Sequence, residues 1–201
     1  MKIHVICVAY GRPKELRNLI GSFIVQTRKD WVLHIVYDGP APKDINRVVA
    51  PFILKDSDDY DKRINFWESP ERYENYGHPN RRMMLQTIPT EPYDYILMTN
   101  DDNTYVPVFV EYMLDECKAR TGIVYCDTVH SHARYETHSS ELRENAIDMG
   151  AFIVRADIAK ATGFNYDHFS ADGAYAIECH RNCIIGRLKT VKIKKALFVH
   201  N

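Results

Sequence analysis

Residues 93–107 read YDYILMTNDDNTYVP, an apolar run that ends in two adjacent carboxylates, Asp101 and Asp102. Carboxylates this close repel unless a cation or hydrogen-bond donors compensate, and their hard oxygens suit Mg²⁺ or Mn²⁺. One of the pair can ligate an ion while the other holds a hydroxyl or a metal-bound water. The same stretch also reads as an Asn-Asp-Asp-Asn turn capping a helix that opens near Pro107. A third carboxylate, Asp172 in Ser-Ala-Asp-Gly, suits a helix N-cap, with Asp148 and Asp167 as neighbouring acids. His130-x-His132-x5-His138 invites a zinc reading beside Asp127. It lacks a rigid His-Glu-x-x-His helix, so a loop that touches or covers substrate is the stronger expectation. The last histidine, His200, taken alone reads as a satisfied side chain on a strand.

Alternating strand-like and helix-like periods must position these groups. Ile3–Val8 is a short apolar run, and Leu16, Leu19, Ile20 and Phe23 follow at helical spacing. Val32–Tyr37, stopped by Asp38-Gly39-Pro40, predicts a second strand, and Ile45, Val48, Val49 and Phe52 a second helix. Residues 55–62 are a charged loop. Strands are expected at Arg63–Trp67 and Tyr93–Thr99, with a helix over Asn80–Ile88 between them. A helix over 107–119 follows, then a strand over Gly122–Cys126. Residues 127–145 are polar and without period, predicting a long functional loop. AIDMGAFIVR predicts another strand, Ala156–Thr162 and Ala171–Cys183 helices, and the final RLKTVKIKKALFVHN alternates only in part. This is an α/β order on a mostly parallel sheet.

Two hundred and one residues suffice for one domain with its own core. With 45% hydrophobic and 26% charged residues and a net charge of −1, the chain lacks the basic excess of a nucleic-acid binder. No apolar run approaches the ~18 residues of a membrane span, and the six apolar residues near the start are too few for a signal peptide. Five widely spaced cysteines suggest reduced thiols and a cytoplasmic protein.

With MTNDDNTYVP, the segments ICVAYGRPKELRNLIGSFIVQT, HIVYDGP and GHPNRRMMLQ resemble the GT-A-fold nucleotide-sugar glycosyltransferases, in the manner of glycosyltransferase family 2. That likeness implies a single Rossmann-like GT-A domain, with residues 1–104 binding the nucleotide-sugar and residues 105–201 the acceptor. It places Val8, Ala9, Tyr10 and Arg12 at the donor, with Tyr10 near the base. By the same likeness Asp38 accepts from the base N–H, and Arg81, rather than Arg82, meets the diphosphate. Asp101 goes to the donor ribose or sugar, and Asp102 and His200 to Mn²⁺ or Mg²⁺. The match is partial: the acids are adjacent rather than Asp-x-Asp, Tyr37 stands where an aspartate is common, and Pro40 where serine is.

DMGAFIVRADIAKATGFNYDHFSADGAYAIE resembles the family's acceptor region, with Met149, Gly150 and Ala151 on a strand that a sugar approaches and Asp172 as the base. Ala171 replaces a common acid there. The implied activity is metal-dependent transfer of a sugar, from a UDP-sugar foremost, to a saccharide or other hydroxyl with inversion. A sugar-1-phosphate nucleotidyltransferase would need a glycine-rich loop where AYGRPKEL has one glycine. A non-catalytic nucleotide- or sugar-binding module would use Asp172 as a cap alone.

Overall fold

The computed structural model describes all 201 residues. β1 (Ile3–Ala9) leads over α1 (Pro13–Ile24) to β2 (Trp31–Tyr37), and α2 (Lys43–Ile53) leads to β3 (Ile64–Glu68). A tight turn over 75–77 opens α3 (His78–Thr87), which returns the chain to β4 (Tyr95–Asn100). There follow β5 (Thr104–Tyr105), α4 (Phe109–Asp115), β6 (Thr121–His130), β7 (Glu136–His138), β8 (Phe152–Arg155), α5 (Ala156–Thr162), α6 (Ala171–Ile185) and β9 (Lys189–His200).

One sheet holds all nine strands, in the order β3-β2-β1-β4-β8-β6-β9-β5 with β7 on β6. The first four are mutually parallel, as are β6 and β9, while β8 runs antiparallel to both its neighbours. Every residue of β1 is buried, as a central parallel strand covered on both faces requires. Leu16, Leu19, Ile20 and Phe23 of α1 form a buried stripe in the same core. Each such side chain contributes roughly 1.5–3 kcal/mol on burial. Gln26 fastens α1 to the second half: its Nε2 donates to Ser22 O and Val106 O, and its Oε1 accepts from Val110 N.

The strand order reverses at β1, because the chain first moves outward to β3 and then crosses back to β4 on the other side. Loops that diverge at such a point leave a crevice at the carboxyl ends of the strands. Tyr10–Arg12 and Asp101–Asp102 follow those two ends directly.

Several expectations need correction. Residues 127–145 are not wholly loop: β6 runs on to His130 and folds back as β7, with Thr128 opposite His138. Met149–Ala151 is a 3₁₀ turn rather than strand, since Asp148 caps it by accepting from Gly150 N at 2.8 Å. Pro107 precedes its helix, which begins at Phe109, and the Pro107 carbonyl accepts from Thr27 N instead. The tail is a single 12-residue strand. Its alternation breaks because Lys194 and Lys195 bulge out between the registers Ile193–Cys126 and Ala196–Asp127.

Candidate active site

Two cavities open at the crevice and share Tyr76, Arg81 and Asn100 as a wall. The first, about 740 Å³, lies over the ends of β1 and β2 and is lined by Val8, Ala9, Tyr10, Arg12, Asp38 and Asp102, among others. Gly77 brings the chain against its floor: φ is +74°, and a Cβ there would meet Val8 Cγ1 at 2.5 Å. Tyr10 is 43% exposed, and its ring lies 5.8 Å from that of Tyr37. The Arg72 guanidinium sits 3.9 Å over the Tyr10 ring.

The two adjacent aspartates differ in environment. Asp101 is fully buried, with Oδ2 accepting from Tyr10 N at 2.9 Å and Oδ1 2.5 Å from Arg12 Nη2. Burial pushes its carboxyl up to about 6, against the pull of Arg12 and the Tyr10 N–H. It lines neither cavity, so it braces the β1 and β4 loops rather than facing a donor. Asp102 does line the first cavity; Oδ2 pairs with Arg12 Nη1, and the buried Oδ1 has no partner. Arg12 therefore lies across both acids, a role the sequence did not reveal.

Asp38 is also a brace. Its Oδ1 accepts from Tyr73 N and Asn80 Nδ2 and its Oδ2 from Glu74 N, which ties the 73–77 loop to the end of β2. Arg81 and Arg82 part company as helix geometry requires. Arg82 turns to Phe164 O and Asp167, while Arg81 is buried between the cavities, donating to Tyr76 O at 2.5 Å and to Asn100 Oδ1. Burial lowers the Arg81 pKa, and the charge of Asp172 is the strongest counterweight.

The second cavity, about 600 Å³, is lined by Asp148, Met149, Asp172, His200 and the β6–β7 hairpin, among others. Asp172 is the second residue of α6, after the cap position Ser170, and its Oδ2 accepts from Met149 N at 3.1 Å. It holds another element's backbone rather than capping its own helix. Burial and the nearby Asp148 push its carboxyl up to about 6, with Arg81 opposing. Of the small-residue stretch, only Met149 lines this cavity. Ala151 lies in the core, and a Cβ on Gly150 would meet Tyr105 Oη and a Phe198 ring carbon at 2.9 Å. Close packing, not sugar approach, requires smallness there. Asp148 is a residue the sequence offered only as a neighbouring acid. Its Oδ2 lies 2.8 Å from His200 Nδ1 and raises that histidine's pKa.

The residues fit a divalent ion. Asp102 presents a buried, unpartnered oxygen, and Asp148 at Nδ1 leaves His200 Nε2 as the free ring nitrogen, the carboxylate–histidine arrangement common behind metal ligands. No three His, Cys, Asp or Glu side chains are arranged as a complete metal-holding group. Mg²⁺-type ions commonly take few protein ligands and complete their shell with phosphate oxygens and water.

No protein-family model matches the chain. Its fold is shared with solved structures. TarS 1–349 from S. aureus in complex with UDP-GlcNAc matches with a TM-score of 0.75 over 100% of this chain and 58% of that one, at 14% identity. The complex of the same protein with UDP gives 0.75, at 14% identity and over 60% of its length. Mannosyltransferase PcManGT from Pyrobaculum calidifontis, solved with GDP-Man and Mn²⁺, matches at 0.68 with 12% identity, covering 99% of this chain and 56% of that one. The chain spans less than two thirds of the length of these proteins. It has the GT-A-like fold that the sequence resemblance implied.

Proposed function

We propose that the chain is a metal-dependent, inverting glycosyltransferase that uses a nucleoside-diphosphate sugar, UDP foremost, and a hydroxyl acceptor. One observation carries this reading: Asp102 and Asp172 open onto separate cavities that meet at one buried arginine. Residues 1–104 build the donor cavity, and residues 105–201 most of the acceptor cavity.

Val8, Ala9 and Tyr10 form the base pocket, and an incoming base takes the Tyr10 face that Arg72 covers. Asp38 shapes the pocket and offers its carboxylate edge to the base. Asp102 and His200 would hold Mn²⁺ or Mg²⁺, which supplies charge compensation to the leaving diphosphate. Arg81 adds a fixed positive charge with no reorganisation at the moment of transfer. Asp172, ionised above about pH 6, accepts the proton of the acceptor hydroxyl as that oxygen bonds to the anomeric carbon. The bond from the anomeric carbon to the diphosphate breaks, and its electron pair leaves on the nucleoside diphosphate.

Thermal shift with UDP, GDP, UDP-sugars and GDP-sugars, each with and without Mn²⁺, tests the donor. A response to one base that depends on metal supports the proposal; stabilisation by none of them overturns it. Donor hydrolysis without acceptor then separates an enzyme from a binding module.

A further inference from the structure

That reading leaves three histidines unused. His130 ends β6, His138 ends β7, and His132 lies in the turn between them. The strands bring them together: Thr128 pairs with His138, so His138 and His130 fall on one sheet face, and His200 on β9 is the other neighbour of His130. Ring centroids lie 4.2 Å apart for His130–His138, 5.1 Å for His130–His132, 5.1 Å for His130–His200 and 5.7 Å for His132–His200. The histidine hydrogen bonds of the chain fall elsewhere, on His4, His34, His78, His168 and His180. His132 and His138 are exposed and His130 is partly so, and their rings make no hydrogen bond within the protein.

The acids of the same cavity have partners elsewhere, Asp148 in His200 and Asp172 in Met149 N. His130 and His138 line the cavity beside Ser139 and Arg143, and the Arg143 guanidinium reaches only Glu141 in an exposed pair. The ring N–H groups, the Ser139 hydroxyl and the Arg143 guanidinium bring hydrogen-bond donors together at this part of the cavity, and a phosphate would accept from them.

We propose that His130, His132 and His138 form a phosphate-binding site, and that the acceptor is a phosphorylated saccharide whose hydroxyl reaches Asp172 while its phosphate rests on these rings. The acceptor identity depends on the transferase reading above; the phosphate site does not. The imidazole Cε1–H resonances, followed by NMR at constant neutral pH and ionic strength, report on it directly. Glucose 6-phosphate is the probe, with glucose and potassium chloride as controls, and each titration is repeated with saturating UDP.

Saturable shifts of the three rings with glucose 6-phosphate alone, retained with UDP bound, are expected. In the double variant His130→Gln/His138→Gln the remaining His132 resonance should need about tenfold or more glucose 6-phosphate for the same shift, while UDP affinity stays unchanged. Equal responses to glucose or chloride overturn the site, as does an unaltered response in the double variant. Competition by UDP overturns it too, by assigning the rings to the donor diphosphate. Saturation by glucose 6-phosphate in a protein that binds no nucleotide leaves the phosphate site standing and removes the transferase reading alone.

Discussion

At the scale of single residues, Asp172 bears opposite demands. Burial holds its carboxyl near 6, so the free-enzyme rate should climb as pH rises through about 6 and then level off. Asp172→Asn should lower turnover by about 10²–10⁴-fold with UDP affinity intact, measured as kcat beside calorimetry. Stability should move the other way. A carboxyl whose folded pKa is raised stabilises the fold below its unfolded value near 3.8, and that contribution is lost as pH rises through about 6. Asp172→Asn should therefore melt above the parent at pH 8, and the gap should close towards pH 4. Arg12 yields a second prediction. It neutralises Asp102 in the free protein, so Arg12→Ala should tighten Mn²⁺ binding in the absence of donor, whereas Asp102→Asn should weaken it; Mn²⁺ EPR reads both. The acids were legible because adjacent carboxylates after an apolar run are chemically conspicuous. The brace roles of Asp38 and Asp101, and the Asp148 partner of His200, were not. Those depend on atoms 35 to 91 positions distant along the chain, such as Tyr73 N for Asp38 and Tyr10 N for Asp101.

At the scale of elements, the alternation of β1 to β4 with their helices was readable because β1, β2 and β4 are largely apolar and α1 and α2 carry buried apolar positions at helical spacing. The hairpin of β6 and β7 was not, since β7 is three exposed polar residues held by pairing alone. Nor was the continuity of β9, whose bulge shifts the alternation midway. The 73–77 loop illustrates how backbone shape decides a site. Asn75, Tyr76 and Gly77 all take positive φ, an arrangement steadied by Asp38. Gly77→Ala should cost about 1–3 kcal/mol of stability and raise the Kd for UDP, because the added methyl strains the turn and pushes on Val8. Denaturant unfolding and calorimetry measure the two effects; an unchanged midpoint and Kd would show that the loop tolerates the methyl.

At the scale of the molecule, all five cysteines are free and buried, and burial raises each thiol well above its ordinary pKa. They should resist a thiol reagent in the native protein and react as five in denaturant, with reductant leaving the melting temperature unchanged. No helix is long and apolar enough to cross a membrane. A nucleotide present at about 100 times its Kd should add about 2.7 kcal/mol, or roughly 5–10 °C for a chain of this size. Arg81, with Tyr76 and Asn100, forms the wall that the two cavities share. An occupant that shifts that wall on one side changes the charge and packing presented to the other. Linkage then requires symmetry: the factor by which UDP changes affinity for an occupant of the second cavity must equal the factor by which that occupant changes affinity for UDP.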